Sequence, residues 1–520
     1  MTVVEPDPVI TPLETADPPR IDPISRLPAW ARFSLYATVL VLILTIAEQL
    51  TDQTRLTSAN TWSSALQLTI PIALAGLGGL WAERAGVINI GLEGMMILGT
   101  WMGAWGAIEF GPWWGVALGV AGGCLGGLVH AIATVGFGVD HIVSGVVINI
   151  LAAGTTQFLN LETFDSTNQS PRIPDNVADI TIPGLNDVFG GITGNLTDSS
   201  VLAWLAITLV LLVLVAKLFH PGHRGGGSGE DDDRPATPVA PVDGIGVEDP
   251  VTDDDGPRIP PEVAALARPV VLAVLVVLAA LCLIELAPYL DDQQRFFISE
   301  LGRIVEGLTE DLSLIVVIGV LAFPVSAFIL WRTKFGLRLR ACGEDPVAAE
   351  SLGINVYLMK VVAVVTSGGL AGLGGVSLVY VFAGQYRAGQ TNGRGYIGLA
   401  AMIFGNWQPG GLALGAGLFG FTDALSLQSG GTTRSLLIVV ALLSILLVAR
   451  AAYTRRWRAA TFTGLAGLAA FLWFRAIEEL PGEIVVFLPH ITTLLVLTFA
   501  SQRLRPPAAD GRRYRRGDSG

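Results

Sequence analysis

Six polar side chains stand inside otherwise apolar stretches of this sequence: Asn89, Glu93, Asn149, Asn406, Gln408 and Asp423. An amide or carboxylate in hydrocarbon is costly unless it pairs with another polar group or faces a water-filled cavity. Two kinds of work are therefore open to each: to hydrogen-bond a polar solute in transit, or to tie helices together. Glu93, set between Gly91 and Gly94, is the residue expected to line a path, with Asn89, Asn149, Asn406 and Gln408 as candidates beside it. Asp423 is expected to tie helices. Trp101 and Trp105, one helical turn apart, could stack on a planar base; packing against each other is the expectation.

Other chemistry is missing. None of the three lysines, Lys217, Lys334 and Lys360, follows a glycine, so the chain has no Gly-Lys-Ser/Thr phosphate loop and is not expected to hydrolyse ATP. Cys124, Cys282 and Cys342 have neither metal-ligand nor disulfide-framework spacing. The acidic runs Asp231–Asp233 and Asp253–Asp255 lie in a Gly- and Pro-rich stretch and read as a solvated tether. No nucleophile–base or metal constellation is visible, so no enzyme activity, bound cofactor or metal is expected. The net charge of −12 comes largely from terminal and linker acids and says little about partners, and nothing suggests nucleic-acid binding.

A different constellation lies at 334–355. After the basic run Lys334, Arg338 and Arg340 come Glu344, Asp345, Pro346, Ala348, Ala349, Leu352 and Gly353. Asp345 suits a helix N-cap, Pro346 the first helical position and Gly353 the left-handed stop. A short capped helix between two apolar stretches can be an ordinary loop element or a handle by which a soluble partner moves a membrane domain.

The elements that must position these residues are long and apolar. Of 520 residues 51% are hydrophobic and 15% charged, against about 25% charged in soluble chains. Apolar segments fall near 33–50, 62–82, 87–108, 113–136, 141–160, 201–219, 264–290, 311–331, 357–383, 395–428, 435–449, 459–475 and 484–502. About 20 residues cross a bilayer core as a helix, which predicts an all-α, polytopic membrane bundle of roughly 10–13 apolar segments. The 62 glycines fit closely packed membrane helices. Segment 395–428 is expected to dip in and return as a broken hairpin. About three quarters of the 32 Lys and Arg then fall on one side, which predicts both termini in the cytoplasm.

The expected organisation is a disordered cytoplasmic tail at 1–32, a first membrane half at 33–219 with an external loop at 161–200, and a disordered acidic linker at 220–262. A second membrane half follows at 263–502, with the cytoplasmic loop at 332–356, and a basic tail at 503–520. An echo between Ile90–Gly99 and Ile397–Gly405 predicts two repeated halves with broken helices, which in transporters line the substrate path.

The segment Lys334–Asn355 resembles the cytoplasmic coupling loop of ABC importer permeases of the ribose and branched-chain amino-acid type. Glu83–Met96, His141–Asn149 and Gly393–Pro409, with Leu418–Leu425 and Leu488–Leu494, narrow the resemblance to nucleoside permeases that work with basic-membrane-lipoprotein binding proteins. The resemblance implies a permease subunit in the cytoplasmic membrane that passes a nucleoside-like solute. It implies a separate ATP-binding subunit docked at 344–353, a second homologous permease and an extracytoplasmic lipoprotein that delivers the solute. A sugar or branched-chain amino-acid permease shares the same loop, and an ion-driven secondary transporter would need no ATPase. The span 201–310 and the helix at 459–475 look like additions to the family pattern.

Overall fold

The computed structural model describes residues 29–51, 55–180, 303–309, 312–427, 430–453, 457–477 and 504–515. The expected tail up to residue 28, the linker 220–262, the apolar segments 201–219, 264–290 and 484–502 and the motif Leu488–Leu494 lie outside the described residues. So do residues 181–200 of the external loop and most of the span 201–310. The chain divides into two units: one comprises 1–21, 37–192 and 299–520, the other 22–36 and 193–298. Of the second, only residues 29–36 are described.

Helices α1 (Ala29–Thr51), α2 (Ala59–Arg84), α3 (Leu92–Phe110), α4 (Pro112–Ala131) and α5 (His141–Phe164) come first, and α4 runs on through a wider π turn at Ile132–Gly136. The two-residue strands β1 (Asp179–Ile180) and β2 (Leu312–Ser313) pair antiparallel. Then follow α6 (Leu314–Arg332), α7 (Lys334–Glu344), α8 (Pro346–Ser351) and α9 (Val356–Ser377), which ends in a π turn at Leu378–Ala383. The last are α10 (Arg394–Phe404), α11 (Pro409–Ser426), α12 (Gly430–Tyr453) and α13 (Trp457–Ala476).

Among the described residues, six helices are long and apolar enough to cross a membrane. The apolar 18-residue stretch of α2 is 83% buried inside the protein and that of α9 72%, against 22–39% for the other four, so α2 and α9 form the centre and those four present apolar faces outward. Helix starts follow local chemistry. Asp140 accepts from the N–H groups of Ile142 and Val143, and Asp345 from those of Val347 and Ala348. Asn355 accepts from Leu358 N–H, while Pro112, Pro346 and Pro409 open α4, α8 and α11.

The centre closes through glycine. Gly115, Gly119, Gly123 and Gly127 recur every fourth residue and so share one face of α4. Gly119, Gly123 and Gly127 meet Gly368 and Gly372 of α9 at backbone distance, while Gly115 meets Gly103 of α3: a Cβ on Gly123 would lie 2.1 Å from the Gly368 carbonyl oxygen. A Cβ on Gly99 of α3 would lie 2.3 Å from the Gly372 carbonyl oxygen. Lipid gives no hydrophobic drive for helices to associate, so this close van der Waals contact holds them.

One expected span needs correcting. The segment 87–108 was read as a single apolar stretch, but α3 begins at Leu92 and Ala85–Gly91 is irregular. Gly86 ends α2 with φ +79°, and the Asn89 side-chain oxygen accepts from Gly91 N–H, a local bond that competes with helix. The hairpin at 395–428 forms as expected: α10 is short, and Asn406 and Trp407 turn the chain with φ +52° and +54° before α11.

Candidate functional site

The irregular segment 85–91 enters the bundle between α2 and α3, and its backbone polar groups need partners. Side chains from three helices supply them. His130 on α4 donates from Nε2 to the Ile88 carbonyl (3.1 Å), which leaves Nδ1 to accept from Ser144 Oγ (2.9 Å). Ile88 N–H donates to His141 Nδ1 at 3.3 Å. Asn149 Nδ2 donates to the Ile90 carbonyl at 3.0 Å, and Lys360 Nζ to the Gly86 carbonyl at 3.4 Å. Asn89 Nδ2 donates to Ser367 Oγ at 2.8 Å. His130, His141, Ser144, Lys360 and Ser367 were not singled out from sequence, although His141 and Ser144 sit inside a motif that was.

Glu93, at the start of α3, reaches across to another broken element. Its Oε1 accepts from Gly393 N–H (2.9 Å) and its Oε2 from Gly395 N–H (2.7 Å), so this carboxylate caps α10 from 300 residues away. A carboxylate at a helix N-terminus also meets the positive end of the helix dipole. Asn149 completes the junction, accepting from Gly94 N–H at 2.7 Å and donating to Tyr396 Oη at 2.8 Å. His141, level with Ile88, lies eight residues before Asn149 on α5, so the junction sits about 12 Å in from that end. A helix of 24 residues is about 36 Å long, so the junction lies well away from either end of α5.

The stretch 384–393 leads to this junction from the opposite end. Loop 165–180 covers its outer part: Ser170 N–H donates to Tyr386 O (3.1 Å), Ile173 N–H to Gly384 O (2.9 Å) and Ala388 N–H to Asn168 O (2.7 Å). Gly384, Gly389, Asn392 and Gly393 have positive φ, so the chain descends irregularly and becomes helical only at Arg394. Arg394 Nη2 pairs with Asp423 Oδ2 at 2.5 Å, tying α10 to α11. Among the described residues, Gln390 Nε2, Arg394 Nε and Trp101 Nε1 are buried donors without a protein partner. Trp101 and Trp105 stack on each other, centroids 5.8 Å apart and rings 6° from parallel.

The structure thus brings Asn89, Glu93 and Asn149 together and leaves Asn406 and Gln408 apart. Those two flank the α10–α11 turn, one length of α10 away (about 16 Å). Asn406 Oδ1 accepts from Arg505 N–H at 2.7 Å, and Gln408 is exposed. Beside the turn, Trp407 Nε1 donates to Glu83 Oε2 at 2.6 Å and Arg84 Nη2 donates to the Trp407 carbonyl at 2.6 Å.

Glu93→Ala leaves two buried N–H groups without acceptors and α10 without its cap. It is expected to destabilise the protein by about 1–3 kcal/mol per orphaned donor. A lowered melting temperature in detergent, with Glu93→Gln intermediate because it keeps one acceptor oxygen, is the result that checks this. An unchanged melting temperature for Glu93→Ala would contradict the capping role.

The loop from α7 to α9 lies at the end of the bundle where Arg84, Trp407 and Lys360 gather. Asp345 caps α8, Pro346 opens it and Gly353 stops it with φ +79°, as its sequence predicts. Val347, Ala348 and Leu352 face out, Leu352 being 81% exposed. Ala349 does not; it packs in a small core with Cys342 and Val356. Glu344 lies 4.0 Å from Arg84 and accepts from Ala508 N–H at 3.2 Å.

Comparison with known proteins agrees with this layout. The family profile described as branched-chain amino acid transport system / permease component matches residues 61–220 and 258–449. The chain is 27% identical to the guanosine ABC transporter permease protein NupQ of Bacillus subtilis, covering 87% of this chain and 96% of that one. It is 24% identical to the nucleoside ABC transporter permease protein NupC of Lactococcus lactis, covering 87% and 95%. It is 26% identical over 73% of its length to TsgC13 of Haloferax volcanii, provisionally named a glucose ABC transporter permease, of which 80% is covered. No solved structure matches. With six long apolar helices among its described residues and a family match over more than half its length, the chain is a multi-pass membrane protein and belongs to the permease-component family of branched-chain amino acid transport systems.

Proposed function

We propose that this chain is the membrane subunit of an ABC importer that passes a nucleoside, driven by a separate ATPase. The observation that carries the reading is the junction at Glu93. There two interrupted stretches, 85–91 from one end and 384–393 from the other, meet well away from either end of α5, at the N-terminus of the short helix α10. Interrupted helices at the midplane are where transporters place substrate, because irregular backbone is tolerated there only beside protein or a cavity. Two relatives covered almost end to end are named for guanosine and nucleosides, which supports that substrate class; the third supports a sugar as the second reading.

In this reading the basic end faces the cytoplasm, both termini included, and residues 344–353 dock the ATPase. ATP is bound and hydrolysed by that partner, a second homologous permease completes the channel, and a lipoprotein delivers solute from outside. Asn89, Glu93 and Asn149 act at the junction, where Glu93 shapes the path by holding α10. Asn406 and Gln408 stand at its cytoplasmic exit. Uptake of labelled guanosine, adenosine, cytidine and glucose by a strain lacking this gene tests the substrate class. Loss of nucleoside but not glucose uptake is the expected result; the reverse would establish the sugar reading.

A further inference from the structure

We propose that residues 505–515 form a strap that carries movement of the α7–α8 loop to the interrupted segment 85–91, making the C-terminal end of the chain a working part of the transport cycle. The inference rests on the assignment of that loop as the ATPase docking site.

A stretch with this composition, four arginines and two prolines in eleven residues, has little reason to order itself. Here it is seated on both of the parts it joins. On the loop side, Ala509 N–H donates to the Gly343 carbonyl at 2.9 Å and Ala508 N–H to Glu344 Oε2 at 3.2 Å. Tyr514 Oη donates to Glu350 on α8, and its ring lies 5.5 Å from that of Tyr357 on α9.

On the path side, a Cβ on Gly511 would lie 2.7 Å from Ile88 Cδ1, and one on Gly86 would lie 3.1 Å from the Ala509 carbonyl oxygen. Ile88 is the residue held by His130 and His141, so the strap leans on the pinned centre of the broken segment. Arg505 N–H reaches Asn406 at the α10–α11 turn. Asp510 is drawn in between. Its carboxyl lies beside Glu83, Arg84 and Lys360, and burial pushes it up to about 6. One of its oxygens is buried without a hydrogen-bond partner. A half-buried acid, flanked by the buried Pro507 and Ala509, is unexpected for a passive terminus.

Direct packing of α7 on α2 also exists, since a Cβ on Gly343 would meet the Arg84 carbonyl oxygen at 2.3 Å. That contact runs on only as far as Gly86, where the same Cβ would lie 3.0 Å from the backbone nitrogen, and leaves Ile88 to the strap. The strap touches the loop, segment 85–91 and the α10–α11 turn together.

The test uses the whole importer in intact cells, with a chain ending at Leu504 and a double-mutant cycle of Tyr514→Phe and Glu350→Gln. The expected result is that the shortened chain reaches the membrane and retains the ATPase in pull-downs, while uptake falls by about tenfold, within the range of coupled sites. The two single variants and their double should lose similar amounts of uptake, as partners in one bond do. Normal uptake by the shortened chain overturns the proposal. So does additive loss in the cycle, or loss of ATPase binding by Tyr514→Phe, which would make the strap a docking part only. Whether the unaltered chain retains the ATPase tests the docking assignment separately.

Discussion

Replacing Gly123 by valine is expected to remove the folded protein from the membrane. The new Cβ would stand 2.1 Å from the Gly368 carbonyl oxygen and 2.7 Å from Gly372 Cα, and both obstacles are backbone. No rotamer relieves such a clash, so α4 and α9 must move apart. The contact is reciprocal, a Cβ on Gly368 lying 2.2 Å from the Gly123 carbonyl oxygen, and Gly372 also meets Gly119 and Gly99. Separation therefore opens α3 along with α4. The cost is expected to exceed the roughly 1–3 kcal/mol of ordinary overpacking, a large part of the 5–15 kcal/mol that holds a typical fold together. Membrane level by immunoblot and melting temperature in detergent measure it. Gly154 on α5 is the control, because nothing lies within 4 Å of a Cβ there, and Gly154→Val should accumulate normally. Equal accumulation and melting for Gly123→Val would show that the glycine seam is not what closes the bundle.

Abolished uptake with an intact fold is expected from the pair Ala348→Glu and Leu352→Glu. Both positions are exposed, and Asp345 holds Ala348 only through its backbone N–H, which a glutamate there keeps, so the cost to stability should stay within about 0.5 kcal/mol each. What changes is the surface proposed to dock the ATPase, where two like charges replace apolar side chains. Pull-downs should lose the ATPase and uptake should fall to background, with membrane level unchanged. Ala349→Glu makes the contrast. It buries an unpaired charge against Cys342 and Val356, and should lower the membrane level itself. Normal uptake by the exposed pair, with the ATPase still bound, would remove the loop from the coupling route.

The amino-acid sequence by itself determined the elements. Most described helices lie where an apolar stretch or a capping pattern places them, though α7 and the helical turns at 303–309 had no such signal, and α8 begins at Asp345-Pro346 and stops at Gly353 as those residue types require. The reason is that span length, cap chemistry and the left-handed tolerance of glycine act within a few residues, and a sequence displays them directly. The interruption at 85–91 was harder to read, since apolar residues such as Val87, Ile88 and Ile90 continue the pattern of a span, and one amide bond from Asn89 decides the break.

Tertiary structure alone decided the partners. Glu93 reads as a lone acid between glycines until Gly393 and Gly395, 300 residues on, turn out to be what it holds. Ala348 and Ala349 are neighbours of one type, yet one faces solvent and the other fills a core, because a six-residue helix is too short to show a face by periodicity. The basic tail reads as a solvated end, and only the spacing of Gly343, Glu344, Glu350 and Ile88 in the folded chain gives it a seat. Such pairings depend on which backbone groups the packed helices leave without partners, a property of the assembled bundle that no local pattern encodes.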